Sequence, residues 1–148
     1  MKTLATNKRA RFDYAITDKY EAGLVLTGQE VKSVKTGHIS LKGSFVTMKG
    51  SEFYLTNASI SPYRFAGELP NYDPTRSRKL LLKKSEIKTL LGKSRSAGLT
   101  LVPIRVYTKK RLIKLEFGVG RGKKKFDKRD DIKKRESKRR LKRIMRLK

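Results

Sequence analysis

A small, mainly-β domain is what this sequence predicts: a closed antiparallel β-barrel of about six strands, with short inserted helices and a basic C-terminal tail. Three observations predict it. Short segments alternate apolar and polar positions, the period of a half-buried strand. Two stretches carry helix start and stop signals. The charge density changes near residue 121, beyond which sixteen basic and four acidic residues fall within 28 positions.

From the N-terminus, residues 12–16 add a segment ahead of a strand at 20–26. Thr27 then fits a capping box with Glu30: its hydroxyl can accept from the Glu30 amide while the carboxylate reaches back. Val31 and Val34 share one face of this helix of about two turns, and Gly37 stops it. Residues 45–48 and 52–55 flank Lys49, Gly50 and Ser51 as a hairpin. Residues 59–74, with Pro62, Gly67, Pro70 and Pro74, form a long loop. A second helix runs from Ser85, its N-cap, to Ala97, with Ile87, Leu90 and Leu91 as the core stripe and Gly98 after it. Residues 99–107 and 112–119 are two strands joined by a loop at 108–111. Pro103 cannot donate to a ladder, so it marks an edge or a bulge. Such a pattern suits an OB-like barrel. An SH3-like barrel is the alternative, and the pattern alone does not choose between them.

Gly118, Gly120 and Gly122 make a poor strand interior and a good hinge, so the body is expected to occupy residues 1–122 and the tail 123–148. The tail has helix-forming residues but too few apolar ones for a continuous face. Dense like charge opposes a free helix. The tail is therefore expected to be disordered when free and helical when a polyanion neutralises it.

Composition bounds the function. The chain has 148 residues and a net charge of +26, which points to a polyanion partner, nucleic acid above all. It has no Cys and one His, His38, so neither a thiolate nor a His-rich metal site can form, and no cofactor is expected. No apolar run has membrane-span or signal-peptide length, from which a cytoplasmic protein without a membrane partner is expected. No catalytic constellation assembles. Asp130, Asp131 and Glu136 lie in the charged tail, and Asp13, Asp18 and Glu21 have no His or Cys beside them. The glycine-rich 118–122 run lacks the following GK[ST] of a phosphate loop. Neither an enzyme nor a small-molecule binder is expected.

Several blocks carry a family resemblance. Asn7-Lys8-Arg9-Ala10, Glu21-Ala22-Gly23-Leu24 and the run from Leu26 to Ser33 resemble the SsrA-binding protein (small protein B) family. So do the runs from Asp73 to Leu82, Gly98 to Pro103 and Gly122 to Arg129. They occur in the family's order and span nearly the whole chain. The resemblance implies an OB-type barrel that binds the tRNA-like part of transfer-messenger RNA. It implies delivery of that RNA to bacterial ribosomes stalled on messages without a usable stop codon, with peptide tagging and ribosome rescue.

By resemblance, Asn7, Glu21 and Leu81 match RNA-binding positions. Asn7 can pair with base edges or phosphates in a bulged loop, or it can simply hold an N-terminal turn. Glu21 can accept from an exocyclic amine or a 2′-hydroxyl or orient a cation, or it can be a structural ion pair. Leu81 can pack on an unstacked base or lie in the core. Around them Lys8, Arg9, Arg11, Arg76, Arg78, Lys79, Lys83 and Lys114 are candidates for phosphate contacts, which position RNA without reading its sequence.

The resemblance sends the tail into the mRNA channel and decoding centre of the small ribosomal subunit. As a helix, its roughly 26 residues would reach about 39 Å. Lys123, Lys124, Lys125, Lys128, Arg129, Lys133 and Arg135 would neutralise rRNA phosphate. Asp127 would cap the helix start. Phe126 stands where the family often has His, which keeps stacking and excludes a polar or proton-transfer role. Ser137 and Lys138 stand where an acid and a Trp can occur. A ribosomal protein or a general RNA-binding OB module has the same composition. A membrane-active tail would need a broader apolar face.

Overall fold

The computed structural model describes residues 1–95, 98–123 and 125–146, leaving aside the side chains of 125–127 and 146. In chain order the elements are β1 (Lys2–Thr6), α1 (Ala10–Asp13), β2 (Tyr14–Leu24), α2 (Gly28–Lys35), β3 (Ile39–Ser40), β4 (Phe45–Lys49) and β5 (Glu52–Thr56). There follow β6 (Ser59–Ile60), β7 (Arg78–Leu81), α3 (Lys84–Ser94), β8 (Leu99–Lys109), β9 (Leu112–Gly122) and α4 (Lys125–Arg146). Among the described residues no helix is long and apolar enough to cross a membrane.

The chain is mainly β. Seven strands form one antiparallel sheet in the order β1-β8-β9-β2-β7-β5-β4, and β3 pairs with β6 in a separate ribbon. Strands β1 and β4 end the sheet, which curls until β4 packs against β8. No described strand pair joins the two ends by hydrogen bonds.

Most of the expected elements form, with shifts at their ends. The 45–55 hairpin turns at Gly50, whose φ of 65° suits glycine. The β8–β9 loop is only Lys110 and Arg111, both at positive φ, the two-residue connection whose twist matches its strands. Pro103 sits at a register shift in β8, so the bulge rather than the edge accommodates it. The 12–16 segment divides: Phe12 belongs to α1, and β2 starts at Tyr14. Helix α3 begins at Lys84 with Lys83 as its N-cap, placing Ser85 inside the helix, because Glu86 reaches back to the Lys83 amide. The predicted end at Ala97 lies outside the described residues, and the observed helix stops at Ser94. Strands β1 and β7 were not expected, and β6 occupies the start of the predicted long loop.

The predicted glycine hinge is instead part of β9. Gly118 and Gly120 are buried within the strand. A Cβ on Gly118 would come within 2.6 Å of Ile16 Cγ2 and 2.9 Å of the Asp18 carbonyl oxygen. One on Gly120 would meet Tyr14 Cβ at 3.1 Å. These glycines let the β2 backbone, which has a register shift between Ile16 and Asp18, cross β9 closely.

The core lies inside the curled sheet, with Leu55, Ile60, Val106, Leu115 and Phe117 fully buried and Val34 of α2 and Leu90 of α3 packed against them. One polar network lies among them. The Thr27–Glu30 capping box forms, the Thr27 amide donating to Glu30 Oε1 at 3.0 Å. The same carboxylate accepts from Arg76 and from Arg78, whose Nη2 and Nε lie 2.6 and 3.1 Å from Oε2. Glu30 and Arg78 are both completely buried. Arg78 also donates to the carbonyls of Ala58 and Pro74, at 2.6 and 2.9 Å. Burial alone would raise the Glu30 carboxyl. The bonds from Arg76, the Thr27 amide and Arg78 outweigh it and lower the pKa to about 2.

Glu30→Gln should therefore destabilise the fold by about 3–5 kcal/mol, because it leaves Arg78 buried without a counter-charge. Urea unfolding at neutral pH measures this. The contribution of the Glu30 charge has a defined pH window. Its folded pKa lies below the ordinary 4.5, so the stabilisation is complete above about pH 4.5 and is lost as pH falls toward 2. The gap between parent and Glu30→Gln should shrink across that interval.

Candidate nucleic-acid interface

Strand alternation brings separated residues onto the outer face of the sheet. In β7, Arg78 and Leu80 point inward, while Lys79 and Leu81 point outward. This resolves the 80–82 leucine run: Leu80 is core, Leu82 is half-buried, and Leu81 is 56 % exposed. Register then places Gly23 of β2 opposite Leu81 on one side and Lys114 of β9 on the other. A Cβ at Gly23 would lie 3.4 Å from Leu81 Cβ, so glycine clears room for the leucine. Lys114 pairs in turn with Tyr107 of β8. Glu21, Leu81, Lys79 and Lys114 thus share one surface.

Electrostatics orders this surface. Glu21 accepts from the Tyr107 hydroxyl and, at 3.4 Å, from Lys109 Nζ. The Tyr107 bond holds the Glu21 carboxyl below its usual range. Burial and then Glu21 push the Tyr107 hydroxyl up. The Arg105 guanidinium lies 4.4 Å from the Tyr107 ring centroid and donates to Glu116 at 3.2 Å. Glu21 therefore orients a cation, Lys109. Lys79 pairs with Glu52 at 3.2 Å, both groups being nearly half exposed. Lys83 is exposed at the start of α3. Sequence reasoning missed Arg105, Tyr107 and Lys109. Their signal was an alternating polar set within an otherwise apolar strand.

A second group lies at the other end of β2, about nine residues or 30 Å of strand from Gly23. The Asn7 backbone amide donates to the Ile104 carbonyl at 2.7 Å, and its side-chain amide donates to the Pro103 carbonyl at 2.9 Å. Its Oδ1 accepts from the Arg9 amide at 3.3 Å. Asn7 is thereby committed to the β8 bulge and the entry to α1, while Lys8, Arg9 and Arg11 are exposed. Helix α4 meets this group. Asp13 accepts from Arg9 and Lys128, both at 3.2 Å, and Lys123 pairs with Asp131. Cations of Arg9, Lys128 and Arg135 lie 4.8, 5.9 and 5.3 Å from the Phe12 ring centroid.

Two expected phosphate contacts are otherwise employed. Arg78 is wholly internal, and bringing it to the surface would strand Glu30. Arg76, about one-third exposed, donates to Glu30 and to the Ser77 carbonyl. Both arginines serve the interior because Glu30 is buried between them. In the tail, Arg129, Lys133 and Arg135 are exposed. Lys124 lies outside the described residues, as do the side chains of Lys125, Phe126 and Asp127. Helix α4 starts at Lys125, which puts Asp127 in its first turn rather than before it. Among the described residues, no group of three His, Asp or Glu side chains could hold a metal ion.

Comparison with known proteins is informative. The family described as SmpB protein matches residues 4–147. The SsrA-binding protein of Alkaliphilus metalliredigens is 52% identical over 140 residues, covering 95% of this chain and 88% of that protein. That of Geobacillus thermodenitrificans is 48% identical over 145 residues, covering 98% and 93%. That of Acaryochloris marina is 45% identical over 144 residues, covering 97% and 94%. A solved chain described as "tmRNA-SmpB: a journey to the center of the bacterial ribosome" is similar at TM-score 0.66 and 44% identity, covering 86% of this chain and 92% of that one.

The geometry separates structural from surface roles by stability. Asn7→Ala should cost about 1–3 kcal/mol, since the Pro103 carbonyl loses its side-chain donor. Leu81→Ala should stay within about 0.5 kcal/mol, since that side chain is exposed. Urea denaturation of the two variants tests both expectations.

Proposed function

This chain belongs to the SmpB family of SsrA-binding proteins, and we propose that it binds the tRNA-like part of transfer-messenger RNA and carries it to stalled bacterial ribosomes. Peptide tagging and ribosome rescue follow. It is an RNA-binding protein of trans-translation and not an enzyme. The observation that carries this reading is the family match across residues 4–147, which spans both the sheet and the tail helix.

Residues 1–122 act as an OB-like barrel unit, a reading supported by the curl of the sheet. Its outer face offers RNA an exposed apolar side chain, Leu81, within reach of cations. Lys79, Lys83, Lys109 and Lys114 engage phosphate there. At the other end Lys8, Arg9 and Arg11 do so, held outward by Asn7. Such contacts supply affinity and register, and the shape of the RNA supplies specificity. Glu21 sets Lys109 in place through their ion pair and, being an anion, does not itself meet the phosphate backbone.

Residues 123–148 act on the small subunit. Like charge along α4 weighs against the helix on its own, and rRNA phosphate that neutralises it favours the helical form. As a helix, the 22 residues of α4 are about 33 Å long, enough to probe an mRNA channel that a truncated message leaves empty. Lys123, Lys124, Lys125, Lys128, Arg129, Lys133 and Arg135 meet rRNA, Asp127 favours the helix start, and Phe126 stacks on a base. The place of action is the bacterial cytoplasm.

Ending the chain after Gly122 should leave transfer-messenger RNA binding within a few fold and abolish tagging. A gel shift and a stalled-ribosome tagging assay on the same preparation decide this. Collapse of RNA binding with a folded body would contradict the division of labour. The salt dependence of RNA binding by the full chain should be steep. With roughly five to eight phosphates neutralised, the log–log slope should be about −4 to −7. A slope shallower than about −2 would make most of the charge a bystander.

A further inference from the structure

Most aromatic rings of this chain are at least partly covered, and Phe53 and Phe117 are in the core. The loop after β6 departs from that pattern. Phe65 is 76 % exposed, and the Tyr63 ring stands 5.7 Å from it, edge-on at 70°. A cation flanks each ring. Lys32 Nζ of α2 lies 5.7 Å from the Tyr63 centroid, and the Arg64 guanidinium lies 5.5 Å from that of Phe65.

The loop is tied at its roots. The Tyr63 amide donates to Gln29 Oε1 of α2 at 2.9 Å. The Tyr72 hydroxyl reaches Glu30 and the Ile60 carbonyl at 3.1 and 2.8 Å. Between them the Ala66 amide closes a turn onto the Tyr63 carbonyl at 3.1 Å. The two rings are thus presented from anchored backbone. A lone exposed phenylalanine would be ordinary, but two neighbouring rings rimmed by Lys32 and Arg64 make a patch of the kind that meets a partner.

We infer that Tyr63 and Phe65 form a stacking platform for an unpaired RNA base, with Lys32 and Arg64 taking the phosphates on either side. Bases stack on aromatic faces whatever their sequence, and adjacent cations track the backbone. The cationic rim favours RNA over an apolar protein surface. This site is separate from the outer sheet face of Glu21 and Leu81, and it rests on the reading that the chain binds RNA.

The test uses the full chain and a 5′-labelled octauridylate, with binding followed by anisotropy at several salt concentrations. Phe65→Ala should weaken binding roughly 5- to 100-fold at each salt concentration. The log–log salt slope should not change, because no charge is removed. Phe65→Trp should bind at least as well as the parent. With 4-thiouridine in the oligonucleotide, crosslinks should fall on residues 63–65. Parent-like binding by Phe65→Ala, or a crosslink map that avoids the loop, overturns this inference and leaves the RNA-binding reading standing. Parent-like binding by Phe65→Leu overturns stacking, since leucine keeps only the apolar contact. A parent chain that binds neither the oligonucleotide nor transfer-messenger RNA overturns both.

Discussion

The buried carboxylate of Glu30 is the constraint on which the rest of the body depends. It closes the N-terminus of α2 and pairs with both Arg76 and Arg78, more than forty residues away in sequence. Arg78 then fastens the carbonyls of Ala58 and Pro74. A buried ion pair is not evidence of net stability, since an apolar replacement can be as stable. What it supplies here is registration. A carboxylate and a guanidinium with all these partners have one arrangement, and a displaced strand would leave a charge buried alone.

That registration reaches the surface. Side chains alternate along β7, so fixing Arg78 inward fixes Lys79 outward, Leu80 inward and Leu81 outward. A slip of one residue would bury Lys79 and expose Leu80. The exposed leucine of the candidate interface is thus a consequence of the interior network. The same network holds the far root of the aromatic loop through Tyr72. One polar cluster therefore sets two exposed features.

Local signals in the sequence were sound where the chemistry was local. The Thr27–Glu30 box, the turn at Gly50, the bulge at Pro103 and the alternation of 112–119 each depend on residues a few positions apart. The readings that failed depend on distant partners. Arg78 looks like a phosphate ligand in an arginine-rich run, and only the fold reveals a carboxylate 48 positions earlier as its partner. Gly118 and Gly120 look like a hinge because their permissiveness is visible, whereas the Ile16 and Tyr14 atoms that need the space are not. The four-residue strand β7 lies in a run of basic residues and leucines, without a clean alternation to announce it. Of the candidate site, Glu21, Leu81 and Lys79 could be named from motifs and Lys114 from its charge, but their common face could not. Tyr107 was hidden because its hydroxyl, directed at Glu21, lies on a strand that otherwise reads as core.

The acids of this chain show how so basic a protein folds. Among the described residues, Asp13, Asp18, Glu21, Glu30, Glu52, Glu116, Asp130 and Asp131 all make ion pairs with Lys or Arg. There are 13 acids in all against 39 basic residues, so most cations have no acidic partner available. Those left over repel one another, which works against the compact state. A polyanion that gathers them on the folded surface relieves that repulsion and stabilises the fold by mass action. The few acids are placed where they aim cations: Glu21 at Lys109, Asp13 at Arg9 and Lys128. Exchanging any of them for a further lysine would raise the net charge and lose the aim, so attraction to RNA and correct presentation to RNA are separable properties of the same surface.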